Sequence, residues 1–268
     1  MRSSSSYKPR ETSQGLEGEI LRLEAQAELS WRHELRLVRL LSNHKNPKIL
    51  EVGCGPGHVT RRLRAAFPES PITAIDHDSD LIAHAQRTGL DNTEFLLADI
   101  AASHLPKNTY DLVISRFIYQ HFSDPLNMAK QSLDLMRSGG LHVIIDIDDA
   151  LWGLAAPAAP GLDQVMSNQT KVQADNSGDR MIGRKLWRLL QQAGYTDPAL
   201  DLYAYDSDQI SKEKFLPQMS PERILDQMQG AEVSLEDIGR LQLAYDNFKN
   251  DPKAYVLMVG FLASGRKP

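Results

Sequence analysis

An α/β fold with a mostly parallel sheet and helices on both faces is the architecture this sequence predicts, and three observations carry the reading. Apolar, strand-like runs alternate with helix-like segments between residues 48 and 147, and strands joined by helical crossovers pair in parallel. The runs are continuously apolar rather than alternating, which suits burial on both faces. The chain of 268 residues, 41% hydrophobic and 24% charged, can bury a sizeable core as one domain and is not compositionally disordered.

Residues 1–15, "MRSSSSYKPRETSQG", are polar, contain no apolar core of a secretory signal and read as a flexible tail. Residues 16–45 hold "LEGEILRLEAQAELSWRHELRLVRLL", whose helically spaced apolar residues predict one or two amphipathic helices, broken by "SNHKNPK". Residues 46–150 form the core unit. The strands there are "KILEV", "ITAID", "EFLLAD", "DLVIS" and "LHVIID"; the helices between them are "VTRRLRAAF", "DLIAHAQRTG" and "DPLNMAKQSLDLM". Residues 151–268 complete the same domain. They comprise a proline- and alanine-rich loop, "LWGLAAPAAPGLDQ", a helix in "RMIGRKLWRLLQQAG" and strands at "LDLYAY" and "YVLMVGFLAS". A helical insertion at about 207–252 separates the last two strands, with "SPER" and "SLED" as capping-box-like starts.

Composition narrows the function classes. A net charge of −5 offers no basic excess for phosphates and argues against nucleic acid as partner. Cys54 is the sole cysteine, so the chain has no internal disulfide or cysteine-based zinc site, and the cytoplasm is the default compartment. The most apolar stretch, 141–162, contains Asp146, Asp148 and Asp149, too costly a set of charges for a membrane span. Those three acids also suggest a magnesium site. The reading here is no metal, with the acids as loop caps or acceptor contacts. A homo-oligomer is compatible with all of this.

The first strand leads into "KILEVGCGPGHVT", residues 48–60. It looks like a phosphate cradle, yet the glycines are Gly53, Gly55 and Gly57, and His58 stands where a dinucleotide fingerprint places its third glycine. Glu51 would put a carboxylate beside a pyrophosphate, repelling it, but would attract an ammonium or sulfonium. The next two strands end in Asp76 and Asp99, and ligands of open α/β sheets bind outside the carboxyl ends of the strands. One acid can take both hydroxyls of a ribose, the other an exocyclic adenine amine. A cationic amino acid joined to adenosine satisfies all three acids, and that describes S-adenosylmethionine.

With "LEVGCGPG", "AIDHD", "LLADI", "YDLVISRFIYQHF" and "LMRSGGLHVII" in this order over residues 47–147, the chain resembles the class I S-adenosylmethionine-dependent methyltransferases. The resemblance implies a Rossmann-like seven-stranded sheet whose last strand is antiparallel. It implies that Gly53, Gly55 and Gly57 line the methionine portion and that Glu51 faces its ammonium. Asp76 would hold the ribose, His77 flank the adenine, and Asp99 with the Ile100 backbone read the adenine edge. Ser115 and Arg116 would lie beside the methionine and sulfonium. More loosely, "RLEAQAELSW" with "DIDDALWGL" is similar to bacterial small-molecule methyltransferases of secondary metabolism. That likeness implies a lid from the 16–45 helices, with Gln26 touching the cofactor, and an acceptor pocket built by the insertion.

The implied reaction is in-line displacement by a small-molecule acceptor oxygen, nitrogen or carbon, releasing S-adenosylhomocysteine. His121 is the candidate general base, as imidazole titrates near working pH, and a packed structural histidine is the alternative. Tyr119 and Gln120 are candidates for acceptor contacts. A non-catalytic scaffold or sensor that only binds the cofactor is a competing reading. A nicotinamide oxidoreductase is disfavoured by His58 and Glu51, and a nucleic-acid methyltransferase by "SRFIYQHF" where an Asp/Asn-Pro-Pro-aromatic loop would be expected.

Overall fold

The structure is a computed structural model that describes all residues except 1–9, 11, 13, 43, 101–103, 152–153, 157–170, 172, 176 and 228–232. Most of the tail expected at 1–15, most of the proline- and alanine-rich loop and part of the insertion therefore lie outside the described residues. The first element is one continuous helix, α1 (Gly15–Leu41). Its buried residues include Ile20, Ala27, Ser30, Glu34 and Val38, a stripe at helical spacing that faces the sheet. Glu34 is an unusual member of that stripe, a carboxylate with no exposed surface.

The core alternates as β1 (Ile49–Val52), α2 (His58–Ala66), β2 (Ile72–Asp76), α3 (Ser79–Gln86), β3 (Thr93–Leu97), β4 (Tyr110–Arg116), α4 (Pro125–Leu135) and β5 (Met136–Asp146). These five strands are mutually parallel in the order β3-β2-β1-β4-β5. Every residue of β1 and β2 is buried, as their continuous apolar character requires, whereas edge strand β3 buries only Phe95. Sequence marks helix starts correctly: Asp78 caps α3 by accepting from the Asp80 and Leu81 amides, and Asp124 caps α4 through Asn127.

The second half adds β6 (Leu154–Ala156), α5 (Leu186–Ala193), β7 (Thr196–Asp206), three helices and β8 (Tyr255–Arg266). β8 runs antiparallel between β5 and β7, which completes the seven strands and the reversed last strand expected. The three-residue β6 is an eighth strand that pattern reading assigns to loop. It pairs with Tyr255–Leu257 on the edge of β8 left free where β5 ends. Between β7 and β8 the insertion folds as α6 (Leu216–Met219), α7 (Pro221–Gln227) and α8 (Leu235–Asn250). Both serines cap their helices: Ser220 Oγ accepts from the Arg223 amide at 3.3 Å and Ser234 Oγ from the Asp237 amide at 3.1 Å. Among the described residues no helix is long and apolar enough to cross a membrane.

The buried Glu34 explains how α1 is fastened. Arg116, at the end of β4, donates from Nε to Glu34 Oε2 at 2.8 Å and from Nη2 to Oε1 at 3.1 Å. Ser30 and Tyr203 hydroxyls also donate to Oε1, at 2.5 and 2.9 Å, and Arg116 Nη2 reaches the Gln26 carbonyl at 3.2 Å. Three elements, α1, β4 and β7, thus share one satisfied ionic network. Glu34→Ala should cost about 3–5 kcal/mol, because it strands a buried guanidinium; equilibrium denaturation measures this, and a loss under about 1 kcal/mol would show the pair to be dispensable.

Candidate functional site

At the carboxyl ends of β1, β2, β3 and β4 lies a cavity of about 920 Å³, roofed by α1 and closed at its far side by the insertion. Glu51, Gly53, Gly55, Asp76, His77, Asp99, Ile100, Arg116 and His121 all line it, as does Gln26 of α1. The three strand-end acids therefore meet in one crevice, as a sheet with this connectivity dictates.

The glycine loop is shaped by its neighbours. Gly53 has φ +75°, and a Cβ there would lie 2.5 Å from Ile118 Cγ2, so the loop and the cavity floor approach closely only without a side chain. Its amide and that of Cys54 donate to the Ile75 carbonyl at 2.8 and 3.0 Å, which ties the loop to β2. Asp76 accepts from the Gly55 amide at 2.8 Å and from the Asp78 amide at 3.0 Å. A carboxylate has about four acceptor positions; the two amides and the His77 ring, whose Nδ1 lies 3.4 Å from Oδ1, take three, so one remains for a ligand hydroxyl.

Glu51 is 2% exposed and its Oε2 has no hydrogen-bond partner. Burial pushes its carboxyl up to about 8, against the opposing pull of the Thr60 hydroxyl and the Arg116 charge and with the Asp76 charge adding to the rise. A buried, orphaned carboxyl oxygen on the wall of a cavity fits a ligand ammonium. His77 is half-exposed beside Asp76, whose hydrogen bond raises the imidazole's pKa.

Three expectations need correction. Gly57 does not line the cavity: a Cβ there would lie 3.2 Å from Ala85 and Phe95, so this glycine serves the packing of the loop against α3 and β3. Ser115 faces away, its hydroxyl 3.2 Å from His142 Nε2 in a buried chain that continues from His142 Nδ1 to the Tyr195 hydroxyl at 2.7 Å. Tyr119 is fully buried outside the cavity, and burial raises its phenol pKa. Arg116 reaches the cavity wall, but its guanidinium is committed to Glu34.

His121 does line the cavity, on the short turn Tyr119–His121. Burial, then the positive charges of Arg180 and Arg22, lower its pKa to about 3. The turn is held by Asp146, which accepts from the Gln120 amide at 3.2 Å. Asp148 and Asp149 form bidentate pairs with Arg184 and Arg180. The three acids at and just beyond the end of β5 are therefore engaged, Asp146 with the turn's backbone and Asp148 and Asp149 in ion pairs. His58, the substitute for a third glycine, opens α2 and donates from Nε2 to the Ile20 carbonyl at 3.0 Å, fastening α1 to the loop.

Arg22, Arg180 and Arg223 also line the cavity and were not singled out by motif. Arg22 lies one helical turn before Gln26 on the same face of α1, a periodicity signal that could have found it. Arg180 and Arg223 carried no such signal.

Residues 49–140 match the family model described as "Methyltransferase domain". The malonyl-[acyl-carrier protein] O-methyltransferase of Bacillus anthracis is 40% identical over 89 residues, 33% of this chain and 33% of that protein. The trans-aconitate 2-methyltransferase of Methylobacterium radiotolerans is 28% identical over 148 residues, 55% of this chain and 54% of the relative. The chain thus spans about a third to a half of the length of these curated relatives. Phosphoethanolamine N-methyltransferase 2 of Haemonchus contortus, solved with S-adenosyl-L-methionine, superposes with a TM-score of 0.55 at 15% identity, over 89% of this chain and 53% of that one. This last likeness shows the fold.

The field at His121 yields a direct expectation. Its ring should stay neutral from pH 8 down to pH 5 in an NMR titration; a midpoint near the usual 6.5 would show that neither burial nor the Arg180 and Arg22 charges set its protonation.

Proposed function

We propose that this chain transfers a methyl group from S-adenosylmethionine to a small-molecule acceptor. The observation that carries the reading is the orphaned Glu51 Oε2 in the same crevice as Asp76 and Asp99. Glu51 suits the ligand's ammonium, the remaining acceptor position on Asp76 suits a ribose hydroxyl, and Asp99 with Ile100 suits the adenine edge. The matched domain, residues 49–140, supports the same assignment. When bound, the cofactor would supply a methyl already activated by its sulfonium. The chain's share is to orient it, exclude water and present the acceptor.

In this reading α1 acts as the lid, fixed by Glu34–Arg116 and by His58, and the insertion supplies the acceptor side of the cavity. A single buried cysteine and a net charge of −5 favour a cytoplasmic setting without nucleic acid as partner. Gly53 and Ile118 form the close-packed floor of the methionine end.

Binding should be coupled to protons. With its pKa near 8 in the ligand-free protein, Glu51 is mostly protonated at pH 7, and an ammonium against Oε2 favours the ionised form. Binding therefore releases a proton, and affinity rises with pH toward 8. Calorimetry in buffers of different ionisation enthalpy should show this release at pH 7, and Glu51→Gln should abolish it. Equal heats across buffers for wild type would remove Glu51 from the ammonium site.

Asp76→Ala should weaken S-adenosylmethionine binding by roughly 10- to 100-fold, the worth of hydrogen bonds to a charged acceptor. Thermal melting of the variant separates this from unfolding. Unchanged affinity would exclude Asp76 from the ribose site, and tighter binding of NADH than of S-adenosylmethionine would overturn the proposed function.

A further inference from the structure

The acceptor side of the cavity has a charge pattern that the cofactor-binding residues do not use. Arg22 from α1, Arg180 from the loop before α5 and Arg223 from α7 converge on it from three distant segments. Arg22 and Arg180 are built alike. Each sets Nε and Nη2 against one carboxylate, Glu19 for Arg22 at 2.7 and 2.6 Å and Asp149 for Arg180. Each turns Nη1 to a neutral amide oxygen, Gln218 and Gln173 respectively, both at 3.1 Å. The carboxylate fixes the fork; the amide holds the outer nitrogen without neutralising it. Arg223 adds a third guanidinium, with Nη1 on the Gln218 carbonyl at 2.7 Å.

Among the described residues, two buried carboxylates, Glu19 and Asp149, stand beside these three guanidiniums. Burial and repulsion from Arg22 and Arg180 lower Arg223 to about 9, with Glu19 and Asp149 opposing that shift but not cancelling it. Of the other acids on the wall, Glu213 and Glu222 are exposed and Asp226 is half-buried. His121, depressed to about 3 by burial and the same cations, is neutral at pH 7 and a weak base. An acceptor that had to lose a proton would find no matched base among the groups assigned above. An acceptor that arrives ionised needs none.

We propose that the acceptor is a small-molecule carboxylate, seated by Arg22, Arg180 and Arg223 and methylated on oxygen to a methyl ester. The inference rests on the methyl-transfer reading. A lone pair of the carboxylate oxygen forms the new O–C bond while the pair of the breaking C–S bond returns to sulfur. One negative and one positive charge become two neutral products, and no proton moves. Guanidinium forks match the planar carboxylate, and Gln218 and Gln173 are the groups its oxygens would displace.

The test separates this inference from the reading beneath it. The full chain is incubated with methyl-labelled S-adenosylmethionine and a metabolite extract, and the labelled products are treated with mild alkali. Carboxylic methyl esters hydrolyse and release volatile labelled methanol, whereas N-methyl, C-methyl, ether and phosphate-ester products keep the label. Methanol from the major product is the expected result. Stable label would overturn the carboxylate inference and leave methyl transfer standing; no labelled product despite calorimetric binding of S-adenosylmethionine would overturn both. With the ester-forming extract fraction as probe, Arg180→Lys, which keeps a cation against Asp149, should raise KM at least 10-fold. Its S-adenosylmethionine affinity should be unchanged, and an unchanged KM would exclude Arg180 from the acceptor site.

Discussion

The ion pair between Glu34 and Arg116 is the constraint on which the site depends. Neither charge would survive burial alone, since removing an ion from water costs several kcal/mol even in a relaxed protein interior. Their meeting, with Ser30 and Tyr203 filling the remaining positions, fixes where α1 lies over the ends of β1 and β4. The same contact positions the backbone beyond β4. Arg116 lies 4.2 Å over the ring of Phe117, a residue with φ 56°, and the next residue, Ile118, presses on Gly53. Helix α1, a strained turn and a glycine loop thereby meet at one buried pair.

The division of labour among the strand-end acids follows from how many acceptor positions each has already filled. Asp76 spends two on the Gly55 and Asp78 amides and so shapes the loop it would share with a ligand. Glu51 leaves Oε2 unfilled and tolerates this by holding a proton. An empty buried acceptor marks a binding position more sharply than a satisfied one, because desolvation without a partner costs about 1–3 kcal/mol unless something repays it. Asp146, equally buried and raised to about 7, differs in having the Gln120 and Ile147 amides as partners, and it serves the turn rather than the cavity.

Much of the sheet was legible because burial on both faces writes itself as unbroken apolar runs, and the three acids were legible because strand ends are easy to place. β6 was not, since three residues carry no periodicity and its pairing depends on where β5 stops. Gly57, Ser115 and Tyr119 show the limit of position alone: a residue can occupy the expected place along the chain while its side chain faces α3, His142 or the interior. Arg116 was located correctly and its partner missed, as Glu34 lies 82 residues away. The arginines at 22, 180 and 223 share no spacing rule; only the folded chain brings them to one wall.

The paired arginines also bear on catalysis. For a carboxylate attacking a sulfonium, charge disappears on the way to the transition state, so a dry cavity favours the reaction relative to water. A set of bare guanidiniums would work against this by stabilising the ionised acceptor more than the transition state, and uniform or excess ground-state binding does not raise kcat. Glu19 and Asp149 temper that effect. They leave Arg22 and Arg180 as oriented donors with most of their charge already answered, so the wall can align an anion without trapping it. The site then gains from geometry and exclusion of water, and His121, neutral and beside the same cations, is too weak an acid to protonate the nucleophile.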